Sequence, residues 1–407
     1  MNDDHKQLWV ILLIVFIGLV GTSIAYPIFP PLFLHPEHGS IVPSSWDNNA
    51  KSIFLGLALA VYPLGQFIGS PILGGISDYY GRKSVLVWSL AGCAAGYLLT
   101  ALSLRYSSLW LLLVSRFITG MMEGNLAIVR AMGADLHSIS KYKTIGRINS
   151  ACAIGYVMGP LIGGLMADNT IVPWFSFAVP FYASSLISLL AVILSITLLS
   201  ASRNEKPQDH VTILENFNLF AKLSKLFKRS VNLKYLLITS TVFTFAVDIF
   251  YEFGPVYLTG MWNMKPAGIA VYNAALSLML ACSAAWLPTF FSRYYNLRNV
   301  IIAAMSISGI FLAALTIYPT MITAFVLFAL LGLSIATVTT NMTIQISGEA
   351  GKLIQGEALG AQLGMRMLGD AVLCMAGGFM IMSSVMMPII LSSLIAFTAA
   401  VIYMRRF

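Results

Sequence analysis

The sequence predicts an all-α membrane protein of twelve transmembrane helices arranged as two pseudo-symmetric six-helix halves. Three observations predict it: apolar stretches of membrane-crossing length recur along nearly the whole chain, Lys and Arg collect on one side of them, and a short motif returns at the same point of each half. Composition agrees, since 58% of the residues are hydrophobic and 10% charged, with a mean hydropathy of +0.82. A soluble chain of this length needs far more charge to cover its surface.

A stretch of about 20 apolar residues crosses a hydrocarbon core of roughly 30 Å. Such spans fall near Leu8 to Pro30, Ile53 to Ile76, Val85 to Leu104, Leu109 to Ala131, Ile148 to Ala167 and Trp174 to Ser200. Six more follow, near Leu233 to Leu258, Gly268 to Phe291, Asn299 to Ile317, Thr320 to Ile346, Ala358 to Ile381 and Met386 to Met404. The first span is long and lacks a small-residue cleavage site, so it is expected to remain in the mature protein.

The net charge of +8 follows topology. With the N-terminus in the cytoplasm, 18 Lys and Arg lie on the inner side, three outside (Lys51, Arg105, Lys265) and three within spans (Arg116, Arg130, Arg366). This asymmetry places both termini in the cytoplasm of a multi-pass inner-membrane protein and argues against a nucleic-acid partner. Cys93, Cys152, Cys282 and Cys374 all fall within spans without ligand spacing, so neither a disulfide framework nor a zinc site is expected.

Between spans six and seven, Ala201 to Asn232 forms the long inner linker that separates residues 1–200 from 233–407. Its Ile213, Leu214, Phe217, Phe220, Leu223, Leu226 and Phe227 recur at helical spacing against a basic face, as in an interfacial amphipathic helix. Such a helix serves as a tether or as a lipid-sensing element. The repeat supports the same division: Ser77 to Lys83 (SDYYGRK) follows span two, and Ser292 to Arg298 (SRYYNLR) follows span eight, 215 positions later. In the outer loop, His35, Glu37, His38 and Asp47 read as exposed polarity more readily than as a metal site.

Gly74 to Lys83 (GGISDYYGRK) resembles the G-x-x-x-D-x-x-G-R-K signature of the major facilitator superfamily. Gly81 permits a tight turn, Asp78 suits a helix N-terminus and Arg82 suits a carboxylate. The resemblance implies a gating motif of Gly74, Asp78, Gly81, Arg82 and Lys83, with Arg82 pairing to Asp135 and Asp78 facing the start of span eleven. Leu112, Arg116 and Gly120 fit the superfamily's L-x-x-x-R-x-x-x-G pattern, which assigns Arg116 to proton coupling. A structural ion pair with Glu123 is the competing reading. Arg116, Glu123 and Arg130 are spaced by sevens, on nearly one face of a continuous helix. Charge within a span is costly and should face a cavity or a partner, although Arg130, near the inner end, is expected to snorkel.

In span five, Gly155, Gly159, Pro160, Gly163 and Gly164 (GYVMGPLIGG) resemble the G-x-x-x-G-P-x-x-G-G motif of drug/proton antiporters, which implies export. Glycines four apart also permit close helix approach on their own account. The stretch from Ile53 to Ala167 is similar to the tetracycline and multidrug efflux branch, with Tyr62 to Gln66, Ser89 to Gly92 and Tyr97 to Leu99 carrying the likeness. Gly96 stands where tetracycline exporters carry an acid in helix three, and the first span has no acid from Leu8 to Pro30, so tetracycline is not the expected cargo.

Asp248 and Glu252 share a face of span seven at i,i+4, as do Arg366 and Asp370 on span eleven. Arg366 and Asp370 can neutralise one another. Two neighbouring carboxylates cannot, so one of Asp248 and Glu252 is expected to carry a proton. Glu123, Asp248, Glu252 and Asp370 are thus candidates to bind protons and a cationic substrate in turn. Tyr26, Tyr62, Phe67, Tyr251, Tyr257, Trp262 and Trp286 are candidate cavity aromatics, or else interfacial and core residues.

These residues, with the resemblance, lead to a proton-coupled secondary transporter that exports a small amphiphilic compound, a drug or a secreted metabolite such as a siderophore, by antiport. Import of a sugar, peptide or siderophore by proton symport is the alternative, and a non-transporting receptor a more distant one. The partners expected are the small-molecule substrate, protons and the lipid bilayer, with the protein acting as a monomer. No cofactor, metal or catalytic residue is expected: there is no Gly-rich phosphate loop or H-E-x-x-H, and the five His all lie outside the spans.

Overall fold

The computed structural model describes residues 3–34, 41–43, 45–134, 136, 141–200, 226–228 and 230–407. The first of two compact units comprises Met1–Trp46, Leu57–Phe217 and Lys265–Ala270, and the second Asp47–Gly56, Asn218–Met264 and Val271–Phe407. The helices are α1 (Asp3–Ser23), α2 (Phe29–Leu34), α3 (Asn48–Tyr80), α4 (Arg82–Arg105), α5 (Leu109–Met122), α6 (Leu126–Ala134), α7 (Lys141–Met166), α8 (Val179–Leu198), α9 (Val231–Trp262), α10 (Pro266–Tyr294), α11 (Leu297–Ile317), α12 (Met321–Ile381) and α13 (Met387–Arg406).

Among the described residues, ten helices are long and apolar enough to cross a membrane. The predicted fourth and fifth spans are outside that set for different reasons. Span four is divided into α5 and α6 by a 3-10 turn at Glu123–Asn125, and the apolar part of α7, Ser150–Met166, is shorter. Spans ten and eleven, predicted as separate helices, form one helical run in α12, whose membrane-length parts are Met321–Ala350 and Gly360–Ile381. Lys352, Leu353, Gln355, Glu357, Ala358 and Leu359, between those parts, are good helix formers.

Two helices, α8 and α13, turn many of their large apolar side chains outward and small polar ones inward. α8 buries Ser184, Ser185, Ser188 and Ser195 and exposes Leu186, Leu189, Leu190, Ile193 and Ile196. α13 likewise buries Ser392 and Ser393 and exposes Leu394, Val401 and Met404. Lipid tails are as apolar as leucine, so burial favours small residues that let backbones approach, and the large apolar side chains turn to the bilayer. The hydroxyls are satisfied within the fold: Ser392 donates to the Ala246 carbonyl at 2.6 Å and Ser185 to that of Ala94 at 2.8 Å.

In the first unit α1 packs on α7 and α8, and α4 on α5 and α8; in the second, α9 packs on α12 and α13, and α11 on α12 and α13. The same set of pairings therefore recurs when span one is matched to span seven, three to nine, and so on. Side-chain oxygens start three of the helices, with Ser230, Asn296 and Thr320 accepting from Leu233, Arg298 and Thr323 at 3.1–3.2 Å. Gly81, at φ 95°, makes the turn from α3 to α4 in a conformation that disfavours any residue with a Cβ.

The glycines set how closely the spans approach. On α3, a Cβ at Gly65 or Gly69 would meet the backbone of Phe117 or Met121, and one at Gly120 or Gly124 would meet the backbone of Tyr62 or of Gly69 and Ser70. α3 and the fourth span thus touch through bare main chain. The 3-10 turn begins three residues after Gly120 and contains Gly124, where glycine gives the helix least support.

Candidate functional site

Glu123 is the first residue of that 3-10 turn and is only 5% exposed. Its carboxylate is held by hydroxyls from three other helices: Thr22 of α1 and Tyr62 of α3 donate to Oε2, and Tyr97 of α4 donates to Oε1. Thr22 Oγ1 and the Tyr62 hydroxyl are also 2.8 Å apart, and either can be the donor. Room for this arrangement comes from Gly21, where a Cβ would collide with the Tyr97 hydroxyl.

Arg116, two turns before Glu123, is 4% exposed. Its guanidinium carbon lies 4.4 Å from the Tyr62 ring centroid and 5.4 Å from that of Phe29, within cation–π range. Tyr62 consequently serves both charges, ring to Arg116 and hydroxyl to Glu123. The sevenfold spacing of Arg116, Glu123 and Arg130 does not describe one helical face, because the 3-10 turn ends the regular register at Glu123. The Arg130 side chain lies outside the described residues.

In the second unit, Arg366 of α12 reaches across to Asp248 of α9. Nη2 is 2.7 Å from Oδ1, and Nε is 3.1 and 3.0 Å from Oδ1 and Oδ2. Asp248, which the sequence pairs with Glu252, therefore has a cation from another helix, and Arg366 is not confined to Asp370. Glu252, Asp370 and Cys374 also cluster, with one ligand-type atom from each lying within 4.8 Å of the others, and Cys374 Sγ is 3.6 Å from Asp370 Oδ1. The facing of α9 and α12 brings these residues together. Spacing within one helix gave no signal of it.

The gating motif is described in part. Lys83 Nζ donates to the Ile196 carbonyl at 2.8 Å and to that of Leu199, closing the end of α8. A Cβ at Gly74 would meet nothing within 4 Å. Asp135 and the side chain of Asp78 lie outside the described residues, as do His35, Glu37, His38, the Trp286 side chain and the linker at 201–225. Asp47 is described, and its Oδ1 accepts from the Ala50 amide at 2.9 Å, a helix-start contact.

The glycines of span five face two ways. Cβ atoms at Gly155, Gly159 and Gly163 would press on α1 and the residues just beyond it, at 2.7 Å from Leu19 Cβ and from the carbonyls of Val20 and Ile24 respectively. One at Gly164 would instead meet Pro266 and Ala270. Pro160 lies inside α7 without ending it. Gly96 packs on Thr119, whose Oγ1 would collide with a Cβ there.

Comparison with known proteins places this geometry in context. A sequence profile described as Major Facilitator Superfamily matches residues 11–374. The tetracycline resistance protein, class H, of Pasteurella multocida is 31% identical over 193 residues, 47% of this chain and 44% of that protein. The chain thus matches somewhat less than half the length of that relative. The quinolone resistance protein NorA of Staphylococcus aureus is 25% identical over 354 residues, covering 85% of this chain and 83% of its own. Among solved structures, the human organic anion transporter MFSD10 (TETRAN) superposes with a TM-score of 0.70 at 17% identity, covering 99% of this chain and 100% of that one, a likeness of fold.

Proposed function

The chain belongs to the major facilitator superfamily, and from that premise we propose that it exports a small amphiphilic compound across the inner membrane in exchange for protons. The reading takes both termini to be cytoplasmic, the working unit to be a monomer, and the cargo to be a drug or a secreted metabolite such as a siderophore.

The observation that carries the proposal is the placement of ionisable groups deep in apolar spans. Glu123, Asp248 and Glu252 are 5%, 3% and 6% exposed. Charge in a span is costly enough that it marks an ion or substrate path. Antiport requires a group that holds either a proton or the cargo, and Glu123, Asp248, Glu252 and Asp370 are the candidates. The glycine run from Gly155 to Gly164 and the resistance proteins among the relatives support export over import.

The test uses the purified protein in liposomes with an imposed pH gradient and ethidium as a lipophilic cation. Export by antiport predicts ethidium moving against the proton flux, and its collapse with a protonophore. Movement with the protons supports the symport alternative, and binding without flux a receptor.

A further inference from the structure

The two units hold their buried carboxylates in chemically different ways. Asp248 faces a cation, and protonating it would forfeit its two-nitrogen contact with the Arg366 guanidinium. Glu123 is held instead by hydroxyls, those of Thr22, Tyr62 and Tyr97, each of which can donate or accept. A proton arriving on Oε2 can be accommodated by those hydroxyls: the new carboxyl O–H donates, and the Thr22 or Tyr62 hydroxyl turns to accept it. The 2.8 Å Thr22–Tyr62 contact, whose direction is free to reverse, lets that reorientation pass between the two hydroxyls.

We propose that Glu123 is the proton-exchanging carboxylate and that Tyr62 is a positioning residue, linking the protonation of Glu123 to the placement of Arg116. This rests on the proton-coupled reading above and narrows it to one group. Tyr62 is the physical connection, because its hydroxyl bonds Glu123 while its ring lies 4.4 Å beneath the Arg116 guanidinium carbon. When Glu123 gains a proton and the Tyr62 hydroxyl reorients, the ring under Arg116 is released from the anion that fixed it. Among the described residues, the charged and titratable groups about Glu123 include Arg116 from α5, Tyr62 from α3, Tyr97 from α4 and, one turn from Tyr97, Cys93. Proton uptake from the outer aqueous phase and its release to the inner phase balance the step.

Infrared difference spectroscopy of the full-length protein in liposomes, between acidic and alkaline pH, tests the proposal without a substrate. A protonated-carboxyl C=O band that disappears at alkaline pH is expected in the wild type and absent in Glu123→Gln. In Tyr62→Phe, which keeps the ring, the band should move to higher wavenumber as a hydrogen bond is lost. Arg116→Lys should shift the band when Tyr62 is present and leave it unchanged in a Tyr62→Leu background. A wild-type band that survives in Glu123→Gln overturns the assignment of the proton, and equal Arg116→Lys shifts in both backgrounds overturn the role of Tyr62. Thermal unfolding of each variant identifies one that fails to fold, and Thr22→Val and Tyr97→Phe, which remove single hydroxyls, then supply the same band-shift test. In the liposome assay, Glu123→Gln should slow pH-driven ethidium flux about tenfold or more, as loss of a charge-assisted contact implies. If the wild type carries no proton-driven flux yet shows these infrared signatures, the export reading fails while the assignment of Glu123 and Tyr62 stands.

Discussion

Arg366 grips Asp248 with two nitrogens, at 2.7 to 3.1 Å, and so ties α12 to α9 within the second unit. Breaking such a pair on one side costs more than removing both partners, because the survivor remains as an uncompensated charge. Asp248→Asn and Arg366→Met are each expected to destabilise the protein by about 2 kcal/mol, less than the ~3–5 of a fully buried pair. The discount reflects the 34% exposure of Arg366. The double variant should recover most of the loss, and denaturant unfolding in detergent measures the cycle.

Transport should separate the carboxylates. With Glu123 as the proton carrier, Glu252→Gln retains ethidium flux driven by a pH gradient. Asp248→Asn retains coupling in whatever fraction of the protein remains folded. Loss of pH-driven flux in both variants, with folding intact, would move the proton to the second unit.

The glycine contacts predict where a single methyl group is intolerable. Gly120→Ala pushes a Cβ into the Tyr62 carbonyl, and Gly65→Ala pushes one into that of Phe117. Neither obstacle is the end of a flexible side chain. Each substitution is expected to cost about 1–3 kcal/mol of stability through overpacking. Gly74→Ala, with nothing near its Cβ, should be neutral or stabilising by up to about 1 kcal/mol. Thermal unfolding of the three variants side by side checks the contrast.

Span five carries a functional counterpart. Gly159→Val places a branched side chain against the carbonyl of Val20 and against Ser23 on α1. It is expected to abolish ethidium flux and to lower the unfolding temperature. An unchanged unfolding temperature would show that α1 and α7 have room to part.

Spans and glycine motifs were legible in the sequence because they are local: a run of apolar residues, or glycines four apart, states its own meaning. The side-chain partnerships were not. Asp248 and Glu252, four apart on α9, read as a like-charge pair, yet Arg366 from a helix more than a hundred residues away supplies the counter-charge. Thr22 and Tyr97 gave no signal as carboxylate ligands, because each lies on a different helix from Glu123 and hydroxyls are common in spans. The heptad spacing through span four misled for a related reason: it presumes a regular helix, and the contacts of Gly120 and Gly124 with α3 accompany a change of winding at Glu123.

The seam between α3 and the fourth span has a bearing on evolvability. Tyr62 sits in α3 beside Gly65 and Gly69, the tyrosine touching Glu123 and Arg116 and the glycines setting the spacing. A saturation library should therefore record two tolerances on one helix. At the glycines replacements carry a folding cost whatever compound is used for selection, whereas the tolerance at Tyr62 depends on whether the selection demands proton-driven flux. Resistance to an inhibitor aimed at the glycine seam would be correspondingly hard to acquire.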